Sequence, residues 1–197
     1  MSYVEVLRSI VPRLEQSEIP YMITGSIAAA YYGFGRATYD LDIVISATAN
    51  KLKKLIELLP REQYYAVLQD ALDAQGHQSM FNVLDTISGW KIDFILQKAA
   101  PFHEEAFQRR VAVVFEGVPT SVISAEDLIL SKLDWAKMGE SERQVKDAAI
   151  VLEKRQPKLD LPYIEKWVRE LGLSAQWSQA RQLAGIDQNQ QGSKGHS

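Results

Sequence analysis

The chain has 197 residues, enough for one domain or for one core with a helical appendage. Its 22 Lys plus Arg against 25 Asp plus Glu leave a formal net charge of −3, so it does not coat a polyanion through bulk charge, and any polyanion must meet a local site. With no cysteine, and with histidines only at the scattered positions His77, His103 and His196, it carries neither a disulfide framework nor a zinc pattern, which leaves hard-metal and carboxylate chemistry open. The apolar runs fall far short of the ~20 residues of a membrane span, and the first sixteen residues carry charges where a secretion signal is apolar; these features predict a cytoplasmic protein with no membrane association.

Val4, Leu7, Ile10, Val11 and Leu14 recur at helical spacing and predict an amphipathic first helix, with Pro20 marking the turn out of it. Tyr21 to Thr24 reads as a short strand ending at Gly25 and Ser26, and the run Ile27 to Ala30 suits a helix start, so the unit is strand, tight turn, helix. After a Gly-containing loop from Gly33 to Thr38, residues Tyr39 to Ile45 alternate strictly. Leu41, Ile43 and Ile45 take one face of this predicted strand, and Asp40 and Asp42 the other. Ala49 to Leu59 predicts a Lys-faced helix ending at Pro60, followed by a second helical stretch from about Gln63 to Asp73 and a break at Gly76.

Ser79 to Leu84 and Trp90 to Leu96 read as strands joined through a Ser88-Gly89 turn, an antiparallel hairpin whose second strand carries Asp93. A short helix near Phe102 to Arg109 leads to a second hairpin, Val111 to Phe115 and Val118 to Ile123, about Glu116 and Gly117. From Ser124 the pattern turns helical, opening on the capping-box-like Ser124-Ala125-Glu126-Asp127. Helices are expected over 125–137, 140–154, 161–171 and 175–183, with Trp135, Trp167 and Trp177 in their core, and 187–197 is expected to be a mobile polar tail. The expected organisation is an α/β core over 1–123, a helical region over 124–186 and the tail.

Two Asp one residue apart on a strand project from one face, about 7 Å apart at the backbone, and like charges held so close call for a cation. Oxygen ligands of this kind suit Mg²⁺, which is usually held by a few carboxylates together with substrate phosphates. Read alone, Asp-Leu-Asp is more often just the solvent face of a strand, and Gly25-Ser26 more often a plain helix N-cap than a phosphate seat at a helix start. Arg36 is placed to bind a terminal phosphate, or is simply solvated, and Thr38 to brace the loop before Asp40. Asp93, mid-strand between Ile92 and Phe94, either completes a triad holding two Mg²⁺ or forms a structural ion pair with Lys91. G-x-S-x-G, H-E-x-x-H and Walker sequences are absent, and Gly33 to Thr38 lacks the third glycine of a dinucleotide fingerprint.

Gly25-Ser26, then thirteen residues to Asp40-Leu41-Asp42-Ile43, with Asp93 on a later strand, resembles the signature of the DNA polymerase beta-like nucleotidyltransferase superfamily. The segment ITGSIAAAYYGFGRATYDLDIVI carries most of the match, with Gly-Ser where many relatives have Gly-Gly. The resemblance implies an α+β fold, a small mixed sheet flanked by helices, with a helical C-terminal part closing a nucleotide site. The second half is similar to abortive-infection-type and antibiotic-type nucleotidyltransferases, in which a helix Lys and an Arg-x-x-Lys-Asp stretch approach the nucleotide. That similarity implies nucleotide-binding roles for Lys132 and Asp147, with Arg143 and Lys146 beside them.

The implied activity is transfer of a nucleoside monophosphate from an NTP to a hydroxyl acceptor with release of pyrophosphate. Asp40, Asp42 and Asp93 are then the catalytic and metal-holding residues for two Mg²⁺, and Gly25 and Ser26 bind the triphosphate. The acceptor is left open among an RNA end, a protein and a small molecule. A basic patch from Lys51, Lys53, Lys54, Arg109 and Arg110 would serve RNA. The alternatives are a non-catalytic nucleotide-binding component of a toxin-antitoxin-like system, and a domain whose Trp-bearing helices bind a partner protein.

Overall fold

The computed structural model describes residues 2–35, 37–139 and 141–186. The expectations for Arg36 and for the tail over 187–197 therefore lie outside the described residues. The chain divides into two compact units, one formed by residues up to Ala28 together with the chain resuming after Gly35 through Ile123, the other by Ala29–Gly35 and the chain from Ser124 onward.

The first unit is built on a mixed sheet of seven strands among the described residues, in the order β3-β4-β5-β2-β1-β7-β6. The strands are β1 (Tyr21–Ile23), β2 (Asp40–Ile45), β3 (Tyr64–Tyr65), β4 (Met80–Asp85), β5 (Lys91–Leu96), β6 (Val111–Phe115) and β7 (Val118–Val122). β1 runs antiparallel to β2 and parallel to β7, β2 and β5 are parallel, and β4 pairs antiparallel with β3 and β5. Helices α1 (Tyr3–Gln16), α3 (Ala49–Leu58) and α4 (Leu68–His77) belong to this unit, as does α5 (Pro101–Gln108), while α2 (Gly25–Tyr31) begins in it.

Alternation makes the sheet. Leu41, Ile43 and Ile45 of β2 are buried, as are Ile92, Phe94 and Leu96 of β5, and the rings of Phe81 and Phe94 stack 5.2 Å apart across β4 and β5. α1 supplies Val6, Leu7, Ile10, Val11 and Leu14, all buried, and packs on β7 and α3, while α4 packs on α3 and β4. Its first turn is closed by Glu5, whose carboxylate accepts from the Ser2 N–H at 2.7 Å.

Two regions depart from expectation. The helix expected from Gln63 begins only at Leu68, because Tyr64 and Tyr65 pair with Asp85 and Leu84 as β3, and it runs on through Gly76 to His77. Tertiary partners override local propensity there: the Tyr64 hydroxyl sits 2.6 Å from Ser9 Oγ, and Gln63 Nε2 donates to Asp85 at 3.0 Å. The first hairpin also closes differently. Its turn spans Thr86 to Gly89 rather than Ser88-Gly89 alone, shaped by the fully buried Asp85, which accepts from the Ile87 and Ser88 amides at 3.0 and 3.1 Å. The second hairpin turns at Glu116 and Gly117, both at positive φ, as a tight two-residue connection requires.

The second unit is helical: α6 (Ala125–Gly139), α7 (Glu142–Arg155), a 3-10 turn (Gln156–Lys158), α8 (Leu161–Glu170) and α9 (Ser174–Leu183). Ser124 caps α6, its Oγ accepting from the Asp127 amide at 3.1 Å and donating to the Asp127 carboxylate at 2.6 Å. Asp127 is fully buried and also accepts from the Tyr163 hydroxyl of α8 at 2.6 Å. Trp167 and Trp177 are buried, but Trp135 is 59% exposed. The buried stripe of α6 runs Ala125, Leu128, Ile129, Lys132, Leu133, Ala136, and Trp135 lies off it, beside the exposed Met138.

Candidate functional site

The two-residue side-chain period of β2 puts Asp40 and Asp42 on one face, opposite the buried Leu41, Ile43 and Ile45. β5 lies parallel beside it in a register that pairs Asp40 with Lys91 and Asp42 with Asp93, so the three carboxylates and one ammonium share a face on two neighbouring strands. On the far side of β5, Asn82 of β4 is in register with Asp93. Asp93 therefore sits mid-sheet between an amide and a carboxylate, its side chain only 7% exposed.

Lys91 joins two of these carboxylates. Its ammonium nitrogen is 2.9 Å from Asp93 Oδ2 and 3.5 Å from Asp40 Oδ1. The hydrogen bond to Asp93, then the two negative charges, outweigh partial burial and hold the Lys91 ammonium above its ordinary pKa. The second Asp93 oxygen, Oδ1, is buried with no hydrogen-bond partner. A buried acceptor in that state is costly, and a water, an ion or a ligand group reaching it would remove that cost. No group of three or more His, Cys, Asp and Glu stands in metal-holding geometry among the described residues; the three carboxylates are ranged along the strands with a lysine between two of them.

Asp42 meets the strand-turn-helix connection from the other side. The Thr24 amide donates to the Asp42 carbonyl at 2.9 Å, continuing the β1–β2 ladder by one residue. Gly25 follows at φ +64, and a Cβ built there would stand 2.0 Å from Asp42 Oδ2 and 2.7 Å from its Cγ. Glycine is required twice, by the left-handed backbone and by the carboxylate lying against its Cα. Ser26 is buried just behind it. The Ala28 amide closes the first helical hydrogen bond onto Thr24, and the N–H groups of Gly25, Ser26 and Ile27 precede any intrahelical acceptor. Thr38 lies just before β2, its Oγ1 accepting from the Asp40 amide at 3.1 Å.

Gly25, Ser26, Thr38, Asp40, Asp42 and Asp93 thus all belong to the first unit, around the β1–α2 turn and the adjacent edges of β2 and β5. Lys132 and Asp147 belong to the second, where Lys132 Nζ bonds Asp147 Oδ2 at 3.1 Å and Gln144 Oε1 at 3.3 Å, both charged side chains being about 6% exposed. Within the basic patch expected for RNA, Lys51 donates to the Glu18 carbonyl, and the Arg110 guanidinium lies 4.5 Å from the Phe107 ring centroid. Sequence reasoning passed over Asn82; it named Lys91 as an ion-pair partner of Asp93, a pair the structure forms at 2.9 Å, but did not place it beside Asp40. Hairpin pairing of the two predicted strands was the signal that places Asn82 on the Asp93 face.

The carboxylates are not gathered about one point, but their donor chemistry suits a divalent cation. Asp42 lies against a backbone that no larger residue would allow, and Asp93 keeps an unused buried oxygen beside it in register. Such oxygen donors suit Mg²⁺ or Mn²⁺.

Neither a family sequence model nor a curated protein sequence matches the chain. Among solved structures it is similar to ANT(2")-Ia in complex with adenylyl-2"-tobramycin, at 14% identity and a TM-score of 0.59, over 87% of this chain and 97% of the other. It is also similar to an antigenic nucleotidyltransferase-like protein from Paracoccidioides brasiliensis, at 15% identity and a TM-score of 0.53, over 90% and 91% of the two chains. These likenesses show the fold alone: the chain has an α+β fold shared with these nucleotidyltransferase structures. No helix among the described residues is long and apolar enough to cross a membrane.

Proposed function

We propose that this chain, which has a nucleotidyltransferase fold, is an enzyme that moves a nucleoside monophosphate from an NTP to a hydroxyl acceptor, releasing pyrophosphate. The observation that carries the reading is the Asp42 carboxylate lying against Gly25, in register with the buried, half-satisfied Asp93. A strand-ending glycine turn placed against paired carboxylates suits a triphosphate and its cations.

In this reading Asp40 and Asp42 hold two Mg²⁺, and Asp93 shares in holding one of them. Bound there, the ions neutralise phosphate charge and favour the deprotonated acceptor oxygen. The first-turn amides of α2 and the Ser26 hydroxyl bind triphosphate oxygens, and Gly25 leaves room for close backbone approach. Thr38 fixes the backbone that presents Asp40, and Arg36 is assigned to the terminal phosphate. The acceptor oxygen forms a bond to the α-phosphorus as the bond from that phosphorus to the bridging oxygen breaks. Pyrophosphate leaves with the electron pair and the hydroxyl proton passes to solvent. The protein's task is positioning and charge compensation. The nucleotide-binding role implied for Lys132 and Asp147 is a separate assignment, since each neutralises the other inside the second unit.

The test incubates the purified chain with α-³²P-labelled NTPs, Mg²⁺ and pooled acceptors (tRNA, mixed proteins, and polyol antibiotics such as tobramycin), following label transfer and pyrophosphate release. The wild type should label one pool and Asp42→Asn none. Equal release by both proteins overturns the assignment, and Mg²⁺-dependent NTP binding without transfer to any pool favours the non-catalytic nucleotide-binding reading.

A further inference from the structure

We propose that Lys91 is a built-in cation that ties the carboxylates of β2 and β5 together and that a divalent cation must displace. The inference rests on the metal-holding role proposed for Asp40, Asp42 and Asp93. It adds that the chain carries its own competitor for that place.

Register puts Lys91 directly across from Asp40 and one same-face step from Asp93, so its ammonium falls between them, at 3.5 and 2.9 Å. Without a cation, three carboxylates on adjacent strands repel one another, and Asp93 is a buried anion, which is expensive to keep uncompensated. The lysine removes that cost for one Asp93 oxygen only, since Oδ1 stays buried and unbonded. A single positive charge therefore serves the site incompletely, whereas a divalent cation brings twice the charge and takes several oxygen ligands. Lys91 is also able to leave. Its side chain is 42% exposed, and its flexible four-carbon stem lets the ammonium return to water without moving the strand.

The charge at stake sets the size of the effect. In a water-like dielectric two unit charges about 4 Å apart interact by about a factor of five in affinity, with more for a divalent ion and less for an exposed, mobile ammonium. Removing the Lys91 charge should thus tighten cation binding roughly five- to tenfold.

The experiment measures Mn²⁺ binding to the full chain without nucleotide, by titration calorimetry and by the electron paramagnetic resonance signal of free Mn²⁺. Lys91→Gln is compared with Lys91→Arg and the wild type. Lys91→Gln should bind more tightly than wild type, melt earlier in EDTA and gain more in Tm on adding Mn²⁺, while Lys91→Arg should stay near wild type. A Lys91→Gln protein that binds Mn²⁺ no more tightly than a Mn²⁺-binding wild type overturns the competitor role and leaves the metal reading standing. Folded proteins none of which binds Mn²⁺ overturn both. A measurement on the wild type alone guards against misfolding of the variant: the Lys91 ammonium ¹H–¹⁵N resonance, slowed in exchange while paired, should vanish into fast exchange on adding Mg²⁺, and its persistence at saturating Mg²⁺ refutes displacement.

Discussion

Replacing Gly25 by Ala tests the contact on which the site is built. The new methyl enters at φ +64, where an L-residue costs about 1–2 kcal/mol. It also stands 2.0 Å from Asp42 Oδ2 and 2.7 Å from Cγ, so the carboxylate must rotate away, at about 0.5–1.5 kcal/mol for an off-rotamer side chain. Together these give about 2–3 kcal/mol, which for a chain of this size lowers Tm by about 5–10 °C. A double-mutant cycle separates the two contributions. In an Asp42→Ala background the carboxylate is gone, and Gly25→Ala should cost only the backbone part, leaving a coupling of about 1 kcal/mol. Urea titrations of the four proteins, followed by circular dichroism in EDTA, supply the cycle. An equal cost of Gly25→Ala in both backgrounds would refute the claim that Asp42 is what excludes a side chain.

Three further outcomes follow from the packing. Asp85→Ala leaves two turn amides without their acceptor and should cost about 2–3 kcal/mol at pH 7 by chemical denaturation. Burial raises the Asp85 carboxyl, but hydrogen bonds from Gln63, Ser88 and Ile87 outweigh it and leave it below its ordinary value. Its stabilisation is therefore complete above the unfolded carboxyl value of about 3.9 and fades as pH falls through the lower folded value, so wild type and Asp85→Ala should converge only below about pH 4. Lys132→Met strips Asp147 of its buried counter-charge and should destabilise by about 3–5 kcal/mol, most of it recovered in Lys132→Met with Asp147→Leu; a double variant as unstable as the single one contradicts the pairing. Tyr163→Phe removes the hydroxyl that donates to buried Asp127 and should cost about 1–3 kcal/mol, and a loss under a few tenths contradicts a role for that bond.

Alternation in Tyr39 to Ile45 was enough to put Asp40 and Asp42 on one face, because a strand with one buried face has only one way to orient its side chains. The same rule placed Lys91 and Asp93 together on β5. Which strands would be neighbours was not legible, since the parallel β2–β5 pairing is made across α3, β3, α4 and β4 and is decided by tertiary packing. Gly25 could be read as a turn residue but not as the wall against Asp42. Nor could β3, whose two residues owe their extended form to Ser9, Leu84 and Asp85 rather than to local propensity. Trp135 shows the limit of counting apolar neighbours: only its angular position on α6, one residue off the buried stripe, leaves it exposed.

In the proposed function Asp40 and Asp42, backed by Asp93, make a divalent-cation and triphosphate site. Isothermal titration of the chain with each NTP, first in Mg²⁺ and then in EDTA, tests it most directly, with the Asp40→Asn, Asp42→Asn double variant as control. At least one NTP should bind in Mg²⁺, and that binding should be lost in the folded control. Binding of the same strength in EDTA, or retained by the double variant, would contradict that reading.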